Sequence, residues 1–270
     1  MSVHRVVAIA DLHVGSTVSL WPEGAALPDG GAWQLSRPQR MLARHWDTML
    51  EELLAYEHID AIVTVGDLVD GCNPRAGLIT DRMDYQRAAA VELLAPLREL
   101  AARFYVVRGS EWHTGKGDEY VSAIAEELGA TPIPSTGEVT WPELFYDMGG
   151  LVVHFAHHIG ATLNPMYEAT AALRDLMTLR LELLNKYGLL APDVWATVRA
   201  HRHRTIAICK DGRWSIVLAG WKLKDNYAYR VAVNTLPEIA YAVLESDGDT
   251  LTVRTRAFPL SLPHVERPEG

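Results

Sequence analysis

Five short apolar runs mark out the first two hundred residues. They are Val6 to Ala10, Ala61 to Val65, Phe104 to Val107, Leu151 to Val153 with an extension to Ala156, and Val194 to Val198. Each is rich in β-branched or aromatic residues and too short for a helix, so each predicts a buried strand. Between them apolar residues recur at helical spacing. Ser36 and Gln39 form a capping-box pair ahead of Leu42, Trp46, Met49 and Leu53, which would share one helix face. A second helix is predicted from Tyr85 to Arg103 with a kink at Pro96, a third from Asp118 to Leu128 ending at Gly129, and a long one from Met166 to Tyr187 ending at Gly188.

The last third has a different pattern. Asp211-Gly212 separates Thr205–Lys210 from Arg213–Leu218, and Asp247-Gly248-Asp249 separates Ala240–Glu245 from Thr250–Arg256. Asp-Gly supplies the positive φ of a tight hairpin turn, so both pairs predict antiparallel hairpins. Strand–helix alternation followed by hairpins predicts an α/β fold with mixed sheets and helices outside. Residues 1–270 are read as a single domain. The segment Gly15 to Arg37, with Pro22, Pro28 and several glycines, reads as a long loop beside the first strand, and it and the insert around Lys116 are expected to shape a pocket.

Composition narrows the function classes. The chain has 270 residues, 49% hydrophobic and 22% charged, enough to bury roughly three quarters of its unfolded surface. The formal net charge is −9 and no basic stripe is present, which predicts weak binding to long duplex DNA. Bound divalent cations would offset part of that charge where a phosphate sits. Cys72 and Cys209 match no thiolate metal motif and no disulfide framework. No run approaches the ~20 apolar residues of a membrane span, and the N-terminal apolar run is too short for a secretory signal. The expectation is a soluble cytoplasmic protein with reduced thiols.

The candidate chemistry lies at the strand ends. Asp11 and His13 follow the first strand, Asp67 the second, and Glu111 and His113 the third; His157 and His158 end the fourth, and His201 and His203 the fifth. Ligands of open α/β sheets bind at that carboxyl edge. Residues i and i+2 of an extended segment share a face, so Asp11-x-His13 and His201-x-His203 can each aim two side chains at one site. Imidazole and carboxylate without thiolate suit Mn, Fe or Zn. A bridging carboxylate such as Asp67 can hold two cations about 3.5–4 Å apart, which lower the pKa of a shared water to roughly 7 and so supply a hydroxide nucleophile.

Asp11-Leu12-His13, Gly66-Asp67, Gly109-Ser110-Glu111-Trp112-His113, His157 and His201-Arg202-His203 occur in that order, each after a strand. This order resembles the calcineurin-like metallophosphoesterases, over residues 6 to 203. The resemblance implies two mixed β-sheets packed as a sandwich flanked by α-helices. It implies two divalent metal ions, with Asp11, His13 and His203 on one, Asp67 bridging, and His157 and His201 on the other. The family's Asn ligand in the third motif is replaced here, and Ala200 stands where the family has Gly. The third motif and Gly220-Trp221-Lys222-Leu223-Lys224 also resemble metallophosphoesterases encoded by phages and prophages.

Each residue has an ordinary reading as well. Asp-x-His alone is usually a loop feature, and Gly-Asp alone a turn; the ordered set is what favours ligands. His157 is preferred to His158 because it shares a face with Val153 and Phe155. His154 reads as a satisfied core histidine, and His4, His45, His58 and His264 as surface or core residues. Arg202 is a candidate phosphate contact. In the third motif Ser110 holds the Asn position but a hydroxyl is a poor ligand. Glu111 is preferred as ligand, with His113 as general acid on the same side of an extended backbone. The expected function is hydrolysis of phosphomonoesters or phosphodiesters, with a nucleotide or nucleic acid among the candidate substrates. A DNA or RNA nuclease is the alternative, and a non-catalytic metal-binding module of the same fold is the reading from another class. The sequence leaves the oligomeric state open.

Overall fold

The computed structural model describes residues 3–72, 77–160, 165–231 and 235–260, so His264 lies outside the described residues. The five apolar runs are strands, extended or shortened by a residue or two: β1 (His4–Ile9), β2 (Ala61–Val65), β3 (Arg103–Val107), β6 (Val152–Phe155) and β7 (Val194–Arg199). Two short strands that the pattern did not predict, β4 (Thr140–Trp141) and β5 (Leu144–Asp147), lie on sheet edges. Both hairpins form, β8 (Ile206–Lys210) with β9 (Arg213–Val217), and β10 (Ile239–Ser246) with β11 (Leu251–Phe258).

The strands make two mixed sheets. The first has the order β11-β10-β1-β2-β3-β4, with β1 through β4 parallel and β10 antiparallel to β1. The second has the order β5-β6-β7-β9-β8, with β6, β7 and β9 parallel. The sheets face each other across one core, where Val6, Ala8 and Val63 of the first meet Val153, Phe155 and Val198 of the second. The strands that end in candidate ligands are buried on both faces, which is why they read as continuous apolar runs rather than alternating ones.

Helices cover the outer faces. α1 (Arg37–Leu54) carries the expected capping box, in which the Ser36 hydroxyl accepts from the Gln39 N–H and the Gln39 side chain accepts from the Ser36 N–H. It buries Leu42, Trp46, Met49 and Leu53 on the first sheet with α2 (Met83–Glu99) and α4 (Glu119–Glu127). α2 is shorter than expected. It passes Pro96, ends at Glu99, and Arg103 already opens β3, because the chain must turn to pair β3 with β2. α5 (Glu168–Tyr187) ends at Gly188 and lies on the second sheet, where Ala172 packs with Val217 of β9. No helix among the described residues is long and apolar enough to cross a membrane. Cys72 and Cys209 are free and exposed.

His154 on β6 is the satisfied core histidine expected. Its Nδ1 accepts from Arg199 and its Nε2 meets Glu143 at 2.9 Å. Burial, and then the Arg199 charge, push its pKa down to about 4 against the pull of Glu143. Between pH 6.5 and 4 the unfolded chain therefore binds a proton that the folded one refuses, and stability falls as pH falls through that window. We expect His154 to cost up to about 3 kcal/mol at pH 4 relative to neutral pH. Denaturant unfolding in chelator at the two pH values checks this. His154→Gln should show a shallower acid loss than the native chain, and equal losses would dismiss the effect.

Candidate metal centre

The carboxyl ends of β1, β2 and β3 in one sheet and of β6 and β7 in the other open on the same rim. Six of the seven expected ligands converge there: Asp11, His13, Asp67, His157, His201 and His203. Their oxygen and nitrogen atoms fall into overlapping groups within 4.8 Å, one of Asp11, His13 and His203, another of Asp11, Asp67 and His157, and a third of His157, His158 and His201. His113 joins His13 and Asp70 in a fourth.

The backbone is bent to make this happen. Asp11, His13, Asp67, His201 and His203 all have left-handed φ, between 48° and 73°. That region costs an L-residue roughly 1–2 kcal/mol, and Asp and His are among the types that enter it most often. Five such residues in one cluster mark a site whose geometry the surrounding strands enforce. It also explains how Asp-x-His works here, because each motif lies on a turn after its strand and not on extended chain.

Hydrogen bonds set which ring nitrogen faces inward. His157 Nδ1–H donates to the Val65 carbonyl at 2.8 Å, leaving Nε2 3.2 Å from Asp67 Oδ2 and 4.0 Å from Asp11 Oδ1. His13 Nδ1 meets Asp70 Oδ1 at 2.9 Å, and its Nε2 lies 3.2 Å from His203 Nε2 and 3.8 Å from both Asp11 and Asp67. His113 Nδ1–H donates to the Asp70 carbonyl at 2.7 Å, leaving its Nε2 4.0 Å from Asp67 Oδ2. His157 is buried and His158 exposed.

The electrostatics fit a cation. Asp11 is fully buried and its Oδ1 has no hydrogen-bond partner among the described residues, although His13, His157 and His203 surround it at 3.7–4.0 Å. Nitrogen and oxygen ligands about 2.1 Å from an ion lie about 3–3.6 Å from one another, close to the separations here. Burial lifts the Asp11 carboxyl to about 7, with His157 opposing and Asp67 adding its repulsion. Burial works the same way on Asp67, but the hydrogen bond and charge of His157, with His13 and His113, hold it below the usual carboxylate range. His157 is held up at about 9 against its burial, by its hydrogen bond to Asp67 and by the Asp11 and Asp67 charges. Burial and Lys222 push His13 down, and His203 down to about 4, so both rings keep a free lone pair.

The third motif departs from the extended backbone expected. Glu111–Thr114 form a single helical turn, α3, with Ser110 at its N-cap. On a helix residues two apart face away from each other, so when His113 turns inward Glu111 turns outward. Glu111 is exposed and joins none of the ligand groups. Ser110 takes the inner position. Its Oγ lies 3.2 Å from Asp67 Oδ2, 3.4 Å from His157 Nε2 and 3.3 Å from His201 Nδ1, and its N–H donates to Asp67 Oδ1 at 2.7 Å.

No family model and no curated protein matches the chain. Solved structures similar to it include wild-type Vps29 from Entamoeba histolytica complexed with zinc, at 14% identity and a TM-score of 0.45, covering 94% of this chain and 98% of that one. Others are a protein from Streptococcus pneumoniae described as a predicted phosphoesterase (12%, 0.40, 95% and 99%) and a novel archaeal phosphodiesterase (10%, 0.42, 94% and 99%). In motif order and in its two mixed sheets, this chain resembles the calcineurin-like metallophosphoesterases.

Two members of the site were given no role by the sequence reading. Asp70, fully buried, holds His13 and His113; Lys222, nearly so, donates to Asp70 at 2.8 Å and pairs with Asp225 at 3.0 Å. Gly66-Asp67-x-x-Asp70 carries a second acid three residues on, and Lys222 follows β9, a further parallel strand. A cavity of about 340 Å³ opens on the cluster, walled by Arg202, Lys222, Lys224 and Leu236 among others. Among the described residues neither the loop from Gly15 nor the insert at Lys116 lines it, although Val18 and Ser19 of the loop pair with Leu223 and Lys222 of its wall. The loop instead buries Leu20, Trp21 and Leu35 against α1 and the first sheet, and the cavity wall comes from the segments after β7 and β9.

Proposed function

We propose that this protein is a metallophosphoesterase that hydrolyses a phosphate ester at a two-ion centre. The observation that carries this reading is the convergence of six ligand side chains, five on left-handed backbone, around the unpartnered Asp11 carboxylate oxygen. Asp11, His13 and His203 would hold one ion, His157 and His201 the other, and Asp67 both. Ser110, not Glu111, would occupy the third-motif position. When bound, a pair of divalent ions polarises a phosphoryl oxygen and makes water nucleophilic near neutral pH.

The chain's own groups supply the rest. His113 presents Nε2 to the cavity with its Nδ1–H fixed on Asp70, which suits it to give a proton to the leaving oxygen. Lys222 and Asp70 orient His13. Arg202 borders the same cavity, and its guanidinium nitrogens are buried with no hydrogen-bond partner among the described residues, whereas Arg204 is paired with Glu168. An unpaired buried guanidinium gains most from an anion, and a phosphate provides one.

The test combines a count and a reaction. Manganese or zinc titrated into chelator-treated protein should saturate near two ions per chain, and the loaded protein should hydrolyse an aryl phosphodiester or monoester. One tightly held ion with no hydrolysis of either ester would discard the proposal.

A further inference from the structure

His158 is exposed, yet its place is fixed from both sides. On one side the His157 carbonyl accepts the Ala200 N–H at 2.9 Å, and the His157 ring donates to the Val65 carbonyl at 2.8 Å. On the other, Ile159 is buried with Ala172 and Val217. With its neighbours anchored, the His158 ring packs on the rim of the centre. Its centroid lies 4.9 Å from that of His157 and 4.9 Å from that of His201, edge-on to both, and those two rings are 5.2 Å apart. One ring nitrogen from each of the three falls within 4.8 Å of the other two. Three imidazoles held this close have little to offer one another. A neutral ring has one donor and one acceptor, and protonated rings repel. A cation among them takes a lone pair from each.

The ligand count calls for such a residue. Asp11, His13, His203 and the shared Asp67 give the first ion four protein ligands, whereas His157, His201 and Asp67 give the second only three. Ser110 does not make up the difference, because its hydroxyl is neutral and already donates to Asp67 Oδ2 at 3.2 Å. We propose that His158 is the fourth protein ligand of the second ion. The assignment rests on the two-ion reading and adds a residue to it.

The cavity favours a ligand over a substrate contact. His201 and Arg202 line it, but among the described residues His158 is not part of its wall. The assignment also sets the character of the second position. Three imidazoles and one carboxylate are a softer set than the two imidazoles and two carboxylates of the first, which inclines the second position toward zinc over manganese.

Zinc titrated into the chelator-treated full chain, in competition with a chromogenic chelator, should show two ions bound by the native protein. His158→Ala should bind the first ion as the native chain does and the second at least about a hundredfold more weakly, since losing an outer partner of a ligand already costs roughly 10–100-fold. Its circular dichroism should be unchanged, and His158→Leu repeats the measurement should the alanine variant misfold. Nitrogen NMR of the histidine rings is the second readout. The signal that is missing from the variant should move in the native spectrum as the second equivalent of zinc is added. Two ions held equally tightly by native and variant chains, or a His158 signal that zinc leaves in place, would overturn this assignment and leave the two-ion reading standing. So would a variant that keeps both ions and loses only affinity for inorganic phosphate. A native chain that holds a single ion would overturn both.

Discussion

Asp67→Asn should abolish hydrolysis and leave the fold in place. Asp67 is 2% exposed and stands between the two groups of ligands, with His157 at 3.2 Å and His13 at 3.8 Å. The amide is nearly isosteric, so the β2 end should keep its shape. It removes the negative charge that two cations would share. Losing that shared charge should cost at least about 4 kcal/mol of barrier, roughly a thousandfold in turnover. The check is kcat at saturating manganese together with the metal content of the purified variant. Near-normal turnover would exclude Asp67 as the shared ligand. Without metal the variant should be less stable than the native chain at neutral pH, because the interactions with His157 that hold the Asp67 carboxyl below its usual range favour the folded carboxylate and a neutral amide forgoes them.

Gly109→Ala should be nearly as damaging although Gly109 carries no functional group. A Cβ there would lie 2.1 Å from Asp67 Oδ1 and 2.4 Å from the Asp67 amide nitrogen. Neither can retreat, because Asp67 is already on left-handed backbone and its Oδ1 takes the Ser110 N–H. The loop after β3 must lift, and Ser110 and His113 would lift with it. We expect a stability loss of about 1–3 kcal/mol, as for other overpacked sites, and a drop in turnover on the order of a hundredfold or more. Gly117→Ala is the comparison, since nothing lies within 4 Å of a Cβ there. It should cost only the strain of its positive φ, ~1 kcal/mol, and leave turnover intact. Equal effects from the two variants would show that the close approach of the β2 and β3 ends is unimportant.

Much of this site was readable because each piece follows a strand, and strands buried on both faces announce themselves as apolar runs. The pairings that bring those ends to one rim are long-range, but parallel neighbours place their carboxyl ends together whatever lies between them. The third motif misled because local backbone was assumed. A Ser at the N-cap position with Gly115 closing the turn is a helix signal, even though the Ser110 hydroxyl goes to Asp67 and makes no cap bond, and on a helix Glu111 and His113 cannot share a side. Asp70 and Lys222 were given no role for another reason: the sequence does not show that Asp70 bonds His13 and His113 or that Lys222 reaches Asp70.

The first sheet has a consequence for the order in which the molecule is made. β1, the strand that delivers Asp11, is flanked by β2 on one side and by β10 on the other, and β10 starts only at Ile239. The Asp11 carbonyl in turn receives the Trp221 N–H. During synthesis β1 and β2 can pair early, but β1 must wait as an open, mostly apolar edge until the chain has been made past Ile239. Such edges recruit foreign strands, and pairings this distant in sequence form slowly. The ligand cluster is therefore completed among the last events of folding, and capture of an ion there would report a finished molecule instead of guiding an unfinished one.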